Sequence, residues 1–168
     1  MSVGALTESG DTVTADVATN GTITATGTFT PTGEVGERIA VTVTDNSSVS
    51  AEITAEMRSK GGIISITVVS DNDNTKTDTV TYDVAKVYTI NLTELSKVGD
   101  IVSGSITTNN TTYTPTVTLD GAKVDPSLIT ATSSSISVDV TGLTGLLSIT
   151  VTCDTDGTKS DTKTFTLI

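Results

Sequence analysis

Paired aspartates in two matching loops are the residues whose type and spacing could bind a metal ion. Asp71 and Asp73 occur in one loop, and Asp154 and Asp156 occur in the other. Carboxylate oxygens are the ligands that Ca²⁺ prefers in proteins. Aspartate is also a good turn residue, because it tolerates left-handed backbone, and a lysine that would compete with a cation follows each pair. We therefore favour hairpin turns over calcium binding here, and we expect no cofactor.

The side chains of the common catalytic sites are missing. The sequence contains no histidine and a single cysteine, Cys153. Ser-His-Asp triads and Cys-His pairs are therefore excluded, and zinc is disfavoured because it prefers imidazole and thiolate ligands. No Gly-rich phosphate loop is present either. Cys153 aligns with Ser70 in the internal repeat described below, which indicates a buried, inert thiol rather than a nucleophile. We predict that the protein is not an enzyme.

The charge of the chain argues against nucleic acid and membrane partners. The formal net charge is −11 at pH 7. Nucleic acid and anionic bilayers would both be repelled by this charge. No apolar run is long enough to cross a bilayer, and the N-terminal segment MSVGALTESG lacks the pattern of a signal peptide. We expect a soluble protein made in a reducing cytoplasm.

The composition and the hydrophobic pattern favour β-strands. Thr, Ser, Val and Ile dominate the sequence, and aromatic residues make up only 3% of it. Apolar and polar residues alternate over residues 39–44, 64–68 and 136–140, as they do in strands with one buried face. Turn signals recur about every ten residues, which predicts an antiparallel β-sandwich. The one helical candidate, residues 55–60, is about one turn long.

An internal repeat divides the chain into two parts. Residues 62–84 align with residues 145–167 without gaps, and 12 of these 23 positions are identical. Upstream, residues 49–54 match residues 136–141, and residues 21–24 match residues 104–107. Phe29-Thr30-Pro31 also matches Tyr113-Thr114-Pro115. The repeat predicts two homologous domains, residues 1–84 and 85–168.

Each domain must build its core almost without aromatic residues. We expect Val, Ile and Leu to fill it, together with one ring near the end of each domain, Tyr82 or Phe165. The remaining rings, Phe29, Tyr88 and Tyr113, are expected to pack in a core or an interface rather than to stack on sugars.

The two aligned closing segments, 62–84 and 145–167, share a recognisable pattern. Each begins with glycine, continues with alternating Ile, Val and Thr, turns at a polar loop with lysine, and ends in Thr-x-Thr. This pattern resembles the closing hairpin of bacterial immunoglobulin-like domains, although the tryptophan often found in the core of that family is missing. The resemblance implies an all-β protein made of two tandem immunoglobulin-like antiparallel β-sandwiches.

The same resemblance implies a structural role. Such domains occur in adhesins, in surface-layer proteins and in tailed-phage virions, and this acidic two-domain chain looks most like a phage capsid decoration protein. Its partners would be capsid or other virion proteins, with self-association as a further option, and its location would be the virion. Residues 85–168 carry a net charge of −3 against −8 for residues 1–84, so the second domain is expected to dock. The alternative is a module of a bacterial surface adhesin or of a carbohydrate-binding surface protein.

Overall fold

The computed structural model describes all 168 residues, which form two compact units. Unit 1 is Met1–Val87 and unit 2 is Tyr88–Ile168. The sequence places the boundary after residue 84, where the last strand of unit 1 ends. The N–H of Val87 donates to the carbonyl oxygen of Arg58 at 2.7 Å, so the residues after that strand remain with unit 1.

Unit 1 contains nine strands and one short helix. They are β1 (Ser2–Val3), β2 (Thr7–Ser9), β3 (Thr12–Ala18), β4 (Ile23–Pro31), β5 (Glu37–Ile39), β6 (Thr42–Thr44), β7 (Ser48–Glu52), α1 (Ala55–Lys60), β8 (Gly62–Ser70) and β9 (Asp73–Val84). The helix coincides with the predicted one-turn segment, and the hydroxyl of Thr54 caps it by accepting from the N–H of Met57 at 3.2 Å. No helix is long and apolar enough to cross a membrane.

Unit 2 also contains nine strands. They are β10 (Ile90–Leu92), β11 (Ser96–Val98), β12 (Ile101–Thr108), β13 (Tyr113–Leu119), β14 (Ala122–Lys123), β15 (Ile129–Ala131), β16 (Ser135–Asp139), β17 (Gly145–Cys153) and β18 (Ser160–Leu167). A single 3₁₀ turn, Pro126–Leu128, precedes β15.

Each unit is built from two antiparallel sheets. In unit 1 one sheet has the order β1-β3-β7-β6, with β2 also paired to β3, and the other has the order β5-β4-β8-β9. Unit 2 repeats this topology with β10-β12-β16-β15, β11 paired to β12, and β14-β13-β17-β18. This is the strand order of an immunoglobulin-like sandwich. The predicted fold, two tandem immunoglobulin-like antiparallel β-sandwiches, is confirmed.

Alternate residues of the central strands fill the space between the sheets. They are Val13, Val49, Ile64, Ile66 and Val68 in unit 1, and Val102, Ile136, Val138, Leu147, Ile149 and Val151 in unit 2. Each unit has its own continuous cluster of buried apolar side chains. Burial of this kind is worth about 1.5–3 kcal/mol for each Val, Ile or Leu side chain, before the cost of chain entropy is subtracted.

One predicted strand is divided between the two sheets. Residues 39–44 alternate as a single strand would, yet Ile39 ends β5 in one sheet and Thr42 begins β6 in the other. The chain crosses between the sheets at Ala40 and Val41, and Val41 packs against the core from this crossing. Both sheets face the same core, so alternation continues across the crossing and conceals it.

The predicted match between Phe29 and Tyr113 is wrong. Phe29 lies opposite Ile64 on β8, and the repeat aligns Ile64 with Leu147. Leu147 lies opposite Leu119, so Leu119 is the counterpart of Phe29, and the predicted match is six residues out. A shift by an even number leaves every inward residue of a strand inward, so the Thr-x-Thr pattern alone cannot detect it.

The predicted match between residues 21–24 and 104–107 is also wrong, because it aligns strands that are not equivalent. Residues 104–107 lie in β12, whose counterpart is β3, whereas residues 21–24 lead into β4. The matches of residues 49–54 with 136–141 and of 62–84 with 145–167 are confirmed, because the paired strands occupy the same places in the two sandwiches.

The rings are also distributed differently from the prediction. Phe29 is the aromatic residue of the unit 1 core, with 1% of its surface exposed. Tyr82 and Phe165 are half-buried and pack against the margins of the two cores. They lie on β9 and β18, which are outer strands of their sheets, so one side of each ring remains near solvent.

Truncation of Phe29 should destabilise unit 1 selectively. We expect Phe29→Ala to lower the free energy of unfolding of unit 1 by about 3–5 kcal/mol, because it leaves a cavity in a closed core. The matched variant is Leu119→Ala in unit 2, where the half-buried side chain should cost less. Urea unfolding followed by NMR signals of each unit measures both values. An equal loss in the two variants would contradict this account of the cores.

Candidate functional site

The first aspartate of each predicted calcium pair is bound by a threonine. Asp71 accepts a hydrogen bond from the hydroxyl of Thr24 at 2.7 Å. In unit 2, Asp154 accepts one from the hydroxyl of Thr114, also at 2.7 Å. These contacts join the loop between the last two strands to the neighbouring strand of the same sheet. Their conservation between the two units shows that the aspartates hold the loop in place.

The second aspartate of each pair closes a local turn. Asp73 accepts from the N–H of Thr75 at 3.0 Å and from its hydroxyl at 2.6 Å. Asp156 accepts from the same two groups of Thr158, at 3.1 and 2.6 Å. The threonine hydroxyl, and then its N–H, lowers the pKa of each carboxyl. Both carboxylates are therefore stabilised in the charged form by the turn itself.

No group of three or more His, Cys, Asp or Glu side chains comes close enough to hold a metal ion. Asp71 and Asp73, like Asp154 and Asp156, have threonine groups as their hydrogen-bond partners in this structure. Calcium binding at these loops stays the less favoured prediction, and hairpin turns stay the favoured one. The hydrogen bonds from the threonines are contacts within these turns.

A third conserved aspartate links the two sheets of each unit. Asp78 on β9 accepts from the N–H of Val3 on β1 at 2.8 Å. Asp161 on β18 accepts from the N–H of Leu92 on β10, also at 2.8 Å. In each unit the first strand belongs to one sheet and the last strand to the other. This carboxylate therefore ties the first strand to the opposite sheet, a role that the spacing of the aspartates did not reveal.

Cys153 is a buried free thiol. The side-chain N–H of Asn110 donates to its sulfur at 3.0 Å. Its counterpart Ser70 is also buried, at the end of β8. The position is thus a small buried site near the end of the strand in both units, as the alignment of Cys153 with Ser70 predicts.

Tyr113 is the ring for which sugar stacking was considered in unit 2. The ring packs against the core, and its hydroxyl donates to the carbonyl oxygens of Thr132 and Ser135, the latter at 3.1 Å. Burial raises the pKa of this hydroxyl. These contacts give Tyr113 a structural role at the end of β16, and Tyr88 is likewise half-buried.

The sharpest difference between the two units lies at the turn before β3 and before β12. We call residues 8–12 the unit 1 tip and residues 97–101 the unit 2 tip. In unit 1, Arg58 of α1 binds Glu8 at 2.7 Å and Asp11 at 3.0 Å. The hydroxyl of Tyr82 also donates to Glu8, and this bond, followed by the Arg58 contact, lowers the pKa of Glu8. Both acidic side chains of the unit 1 tip are therefore bound by an arginine of their own unit.

Unit 2 has none of these partners. Lys97 replaces Glu8, Phe165 replaces Tyr82, and the connection between β16 and β17 is too short to contain a helix. Val98 and Ile101 stand where unit 1 has Ser9 and Thr12. The unit 2 tip is consequently apolar and uncovered, and the sequence comparison missed it because it was not aligned in this region.

A shallow recess lies beside this connection in unit 2. It has a volume of about 290 Å³ and is lined mainly by aliphatic side chains: Leu119, Ala122, Lys123, Val124, Asp125, Leu128 and Leu143. In unit 1 the corresponding connection contains α1, whose Met57 is buried in the core. The end of unit 2 is thus less completely closed than the end of unit 1.

Known proteins share the fold of this chain but not its sequence. No protein-family model matches it, and no curated protein matches it. The insect immune protein hemolin matches over 98% of the chain with 11% identity and a TM-score of 0.54. The domain arrangement of hemolin has implications for homophilic adhesion. At this identity, the similarity to hemolin supports the immunoglobulin-like fold alone.

Fragments of titin are also similar in structure. A three-domain titin fragment matches over 98% of the chain with 12% identity and a TM-score of 0.42. A two-domain titin fragment in complex with telethonin matches over the whole chain with 15% identity and the same TM-score. The chain spans 60% of the three-domain titin fragment and 43% of hemolin. The chain therefore has the fold of two tandem immunoglobulin-like domains.

Removal of the threonine in either turn should raise the pKa of its aspartate. The hydrogen bonds of Thr75 make the pKa of Asp73 lower in the folded chain than in the unfolded chain. These bonds therefore stabilise the fold at pH values above the unfolded-state pKa, and the stabilisation is lost as the pH falls through the folded-state pKa. Thr75→Ala should therefore raise the pKa of Asp73 towards the ordinary value of an aspartate. Thr158→Ala should do the same for Asp156. An NMR pH titration of the carboxyl carbons measures both, and an unchanged pKa would contradict the proposed cause.

Loss of the carboxylate that joins the two sheets should free the first strand. In Asp161→Ala the N–H of Leu92, a fully buried residue, loses its acceptor, which costs about 1–3 kcal/mol. Hydrogen exchange of the Leu92 amide should accelerate by about tenfold or more. The matched variant Asp78→Ala should have a smaller effect, because Val3 is only half-buried. Equal exchange in Asp161→Ala and the unchanged protein would refute the link.

Proposed function

We propose that this chain is a non-enzymatic virion accessory protein, a capsid decoration protein that docks on a coat lattice through unit 2. The resemblance of both closing hairpins to bacterial immunoglobulin-like domains supports a role in a phage particle. The observation that carries the choice of unit 2 is the charge of its outer strand. Unit 1 would then project from the particle.

The outer strands β9 and β18 each have an edge without a ladder partner. Each pairs in a ladder with only one neighbour, β8 or β17, although Asp78 or Asp161 on that strand binds the first strand of the unit. The remaining part of this edge could accept a strand from a partner. The N–H of Cys153 donates to the carbonyl oxygen of Lys159, and ladder groups alternate in direction along an antiparallel strand. The N–H groups of Thr162 and Thr164 therefore face away from β17, and that of Thr162 is bound by Asp161 at 2.8 Å.

Charge favours the edge in unit 2. β9 contains three aspartates and one lysine, which gives it a net charge of −2. β18 contains Asp161 and Lys163, which gives it no net charge. An acidic coat segment that adds a strand would meet less electrostatic repulsion at β18 than at β9, because like charges on paired strands are destabilising.

Proline substitution on each outer strand tests this proposal. In Thr164→Pro the outward N–H is lost while the ladder bonds to β17 remain, so the fold should tolerate the change. Wild-type protein should co-sediment saturably with particles from its source in a density gradient. We expect Thr164→Pro to bind at least about tenfold more weakly, which corresponds to about 1.4 kcal/mol. Thr81→Pro, the equivalent change in β9, should bind as the wild type does.

Each outcome has a distinct meaning. Wild-type protein that stays at the top of the gradient would contradict the capsid proposal and favour the alternative, a module of a bacterial surface adhesin or of a carbohydrate-binding surface protein. Loss of binding in Thr81→Pro alone would assign docking to unit 1. Binding that neither variant changes would place the docking surface away from the strand edges.

A further inference from the structure

Three aspartate or asparagine residues of the chain are followed directly by glycine. They are Asn20, Asp120 and Asp156. Such a pair can react without an enzyme, because glycine has no side chain to hinder its own backbone nitrogen, which attacks the side-chain carbonyl carbon of the preceding residue. In a folded protein the reaction also requires that this side chain and this nitrogen are free to approach each other.

Hydrogen bonds hold two of the three side chains. Asp120 accepts from the N–H of Leu146 at 2.8 Å. Asp156 accepts from the N–H and the hydroxyl of Thr158, at 3.1 and 2.6 Å. Asn20 is exposed, and its side chain has no hydrogen-bond partner. Of the three side chains, that of Asn20 is therefore the one that is free to turn towards the next nitrogen.

The backbone beside Asn20 lies outside the strand ladders. β3 ends at Ala18 and β4 begins at Ile23. The N–H of Gly21 donates to the hydroxyl of Thr19 at 3.3 Å, which is longer than an ordinary N–H···O hydrogen bond. Connections of this kind are more mobile than the strands that they join. The nitrogen that attacks is thus only weakly held.

The same connection in unit 2 is built differently. There the N–H of Asn110 donates to the hydroxyl of Thr108 at 3.0 Å. Asn109 therefore takes the place of Asn20. The side chain of Asn109 accepts from the N–H of Thr89 at 2.8 Å, and the next residue is an asparagine rather than a glycine. The connection in unit 2 thus lacks both features that make Asn20 reactive.

We propose that Asn20 is a site of spontaneous deamidation. The backbone nitrogen of Gly21 forms a bond to the side-chain carbonyl carbon of Asn20. The side-chain nitrogen leaves as ammonia and takes the proton of the Gly21 N–H, so a succinimide ring remains. Water then adds to one of the two ring carbonyls and opens the ring, which gives aspartate or isoaspartate. Water is the one co-reactant, and nothing is oxidised or reduced.

Either product changes unit 1 at this connection. The new carboxylate adds one negative charge to a chain whose formal net charge is −11. The side chain of Asn72 lies against Gly21, since a Cβ added to this glycine would be 2.2 Å from the Asn72 side-chain nitrogen. Asn72 belongs to the loop of Asp71 and Asp73, so the new charge is repelled by an acidic loop. The reaction uses no residue of β18 and does not depend on the proposed docking.

Incubation of the full chain at mildly alkaline pH, followed by peptide mapping with mass spectrometry and an isoaspartate assay, tests the proposal. Asn20 should convert to aspartate and isoaspartate, whereas Asn109 should stay intact. Gly21→Ala should slow the conversion at least about tenfold, because the added methyl group hinders the attacking nitrogen. The fold should tolerate this change, since the atom that the methyl group meets is at the end of the flexible Asn72 side chain.

The variant Asp120→Asn separates the effect of structure from the effect of sequence. It places an asparagine before Gly121, where the side-chain carbonyl can still accept from the N–H of Leu146. In the folded chain we expect this asparagine to react at least about tenfold more slowly than Asn20, because its hydrogen bond must break first. In urea the two sites should react at similar rates, since the unfolded chain has neither constraint.

Three results would overturn the proposal. One is an Asn20 that stays intact in the folded chain while the same residue reacts in urea. Another is an equal rate at the two sites of folded Asp120→Asn, because the hydrogen bond would then give no protection. The third is a conversion of Asn20 that Gly21→Ala does not slow, because the Gly21 nitrogen would then not be the attacking group.

Discussion

Burial of branched aliphatic side chains between two sheets is the interaction on which each unit depends. The chain has no tryptophan, one cysteine and few rings, so no disulfide or large aromatic cluster can substitute for it. β8 and β17 each place their inward residues at full burial in the middle of a sheet. The rest of each sandwich, including its short edge strands, is ordered by packing against these two strands.

The carboxylates refine this packed framework rather than create it. Asp78 and Asp161 connect the first strand of each unit to the opposite sheet, at a place where the first strand is only two or three residues long. A strand that short makes few ladder bonds, so one charged hydrogen bond is a large part of its attachment. The paired loop aspartates then fix the last turn through threonine hydroxyls. These aspartates therefore have a structural role in the loops.

Duplication of the sandwich leaves the surfaces free to differ. Both tips have the same turn, yet Arg58 binds the two acidic side chains of one, whereas the other exposes Val98 and Ile101. Unit 1 covers this end with α1, whereas the shorter connection of unit 2 leaves Leu143 beside an open recess. The core tolerates such differences because these residues lie outside it. Differences between equivalent surface positions are therefore the best guide to where the two units act differently.

The fold class, the duplication and the closing hairpins could be predicted from the sequence, because period-two alternation and the gapless repeat of residues 62–84 are local features. The register of β4 and β13 and the crossing at residues 40–41 became visible only in the folded chain. The alternation of apolar and polar residues stays the same when a strand is shifted by an even number of residues. It also stays the same when the chain crosses between two sheets that face one core. The tertiary structure also decided the partners of Asp78 and Asp161, since they bond to residues that are distant in sequence. The exposed pair Val98 and Ile101 emerged only when the correct register placed it opposite Ser9 and Thr12.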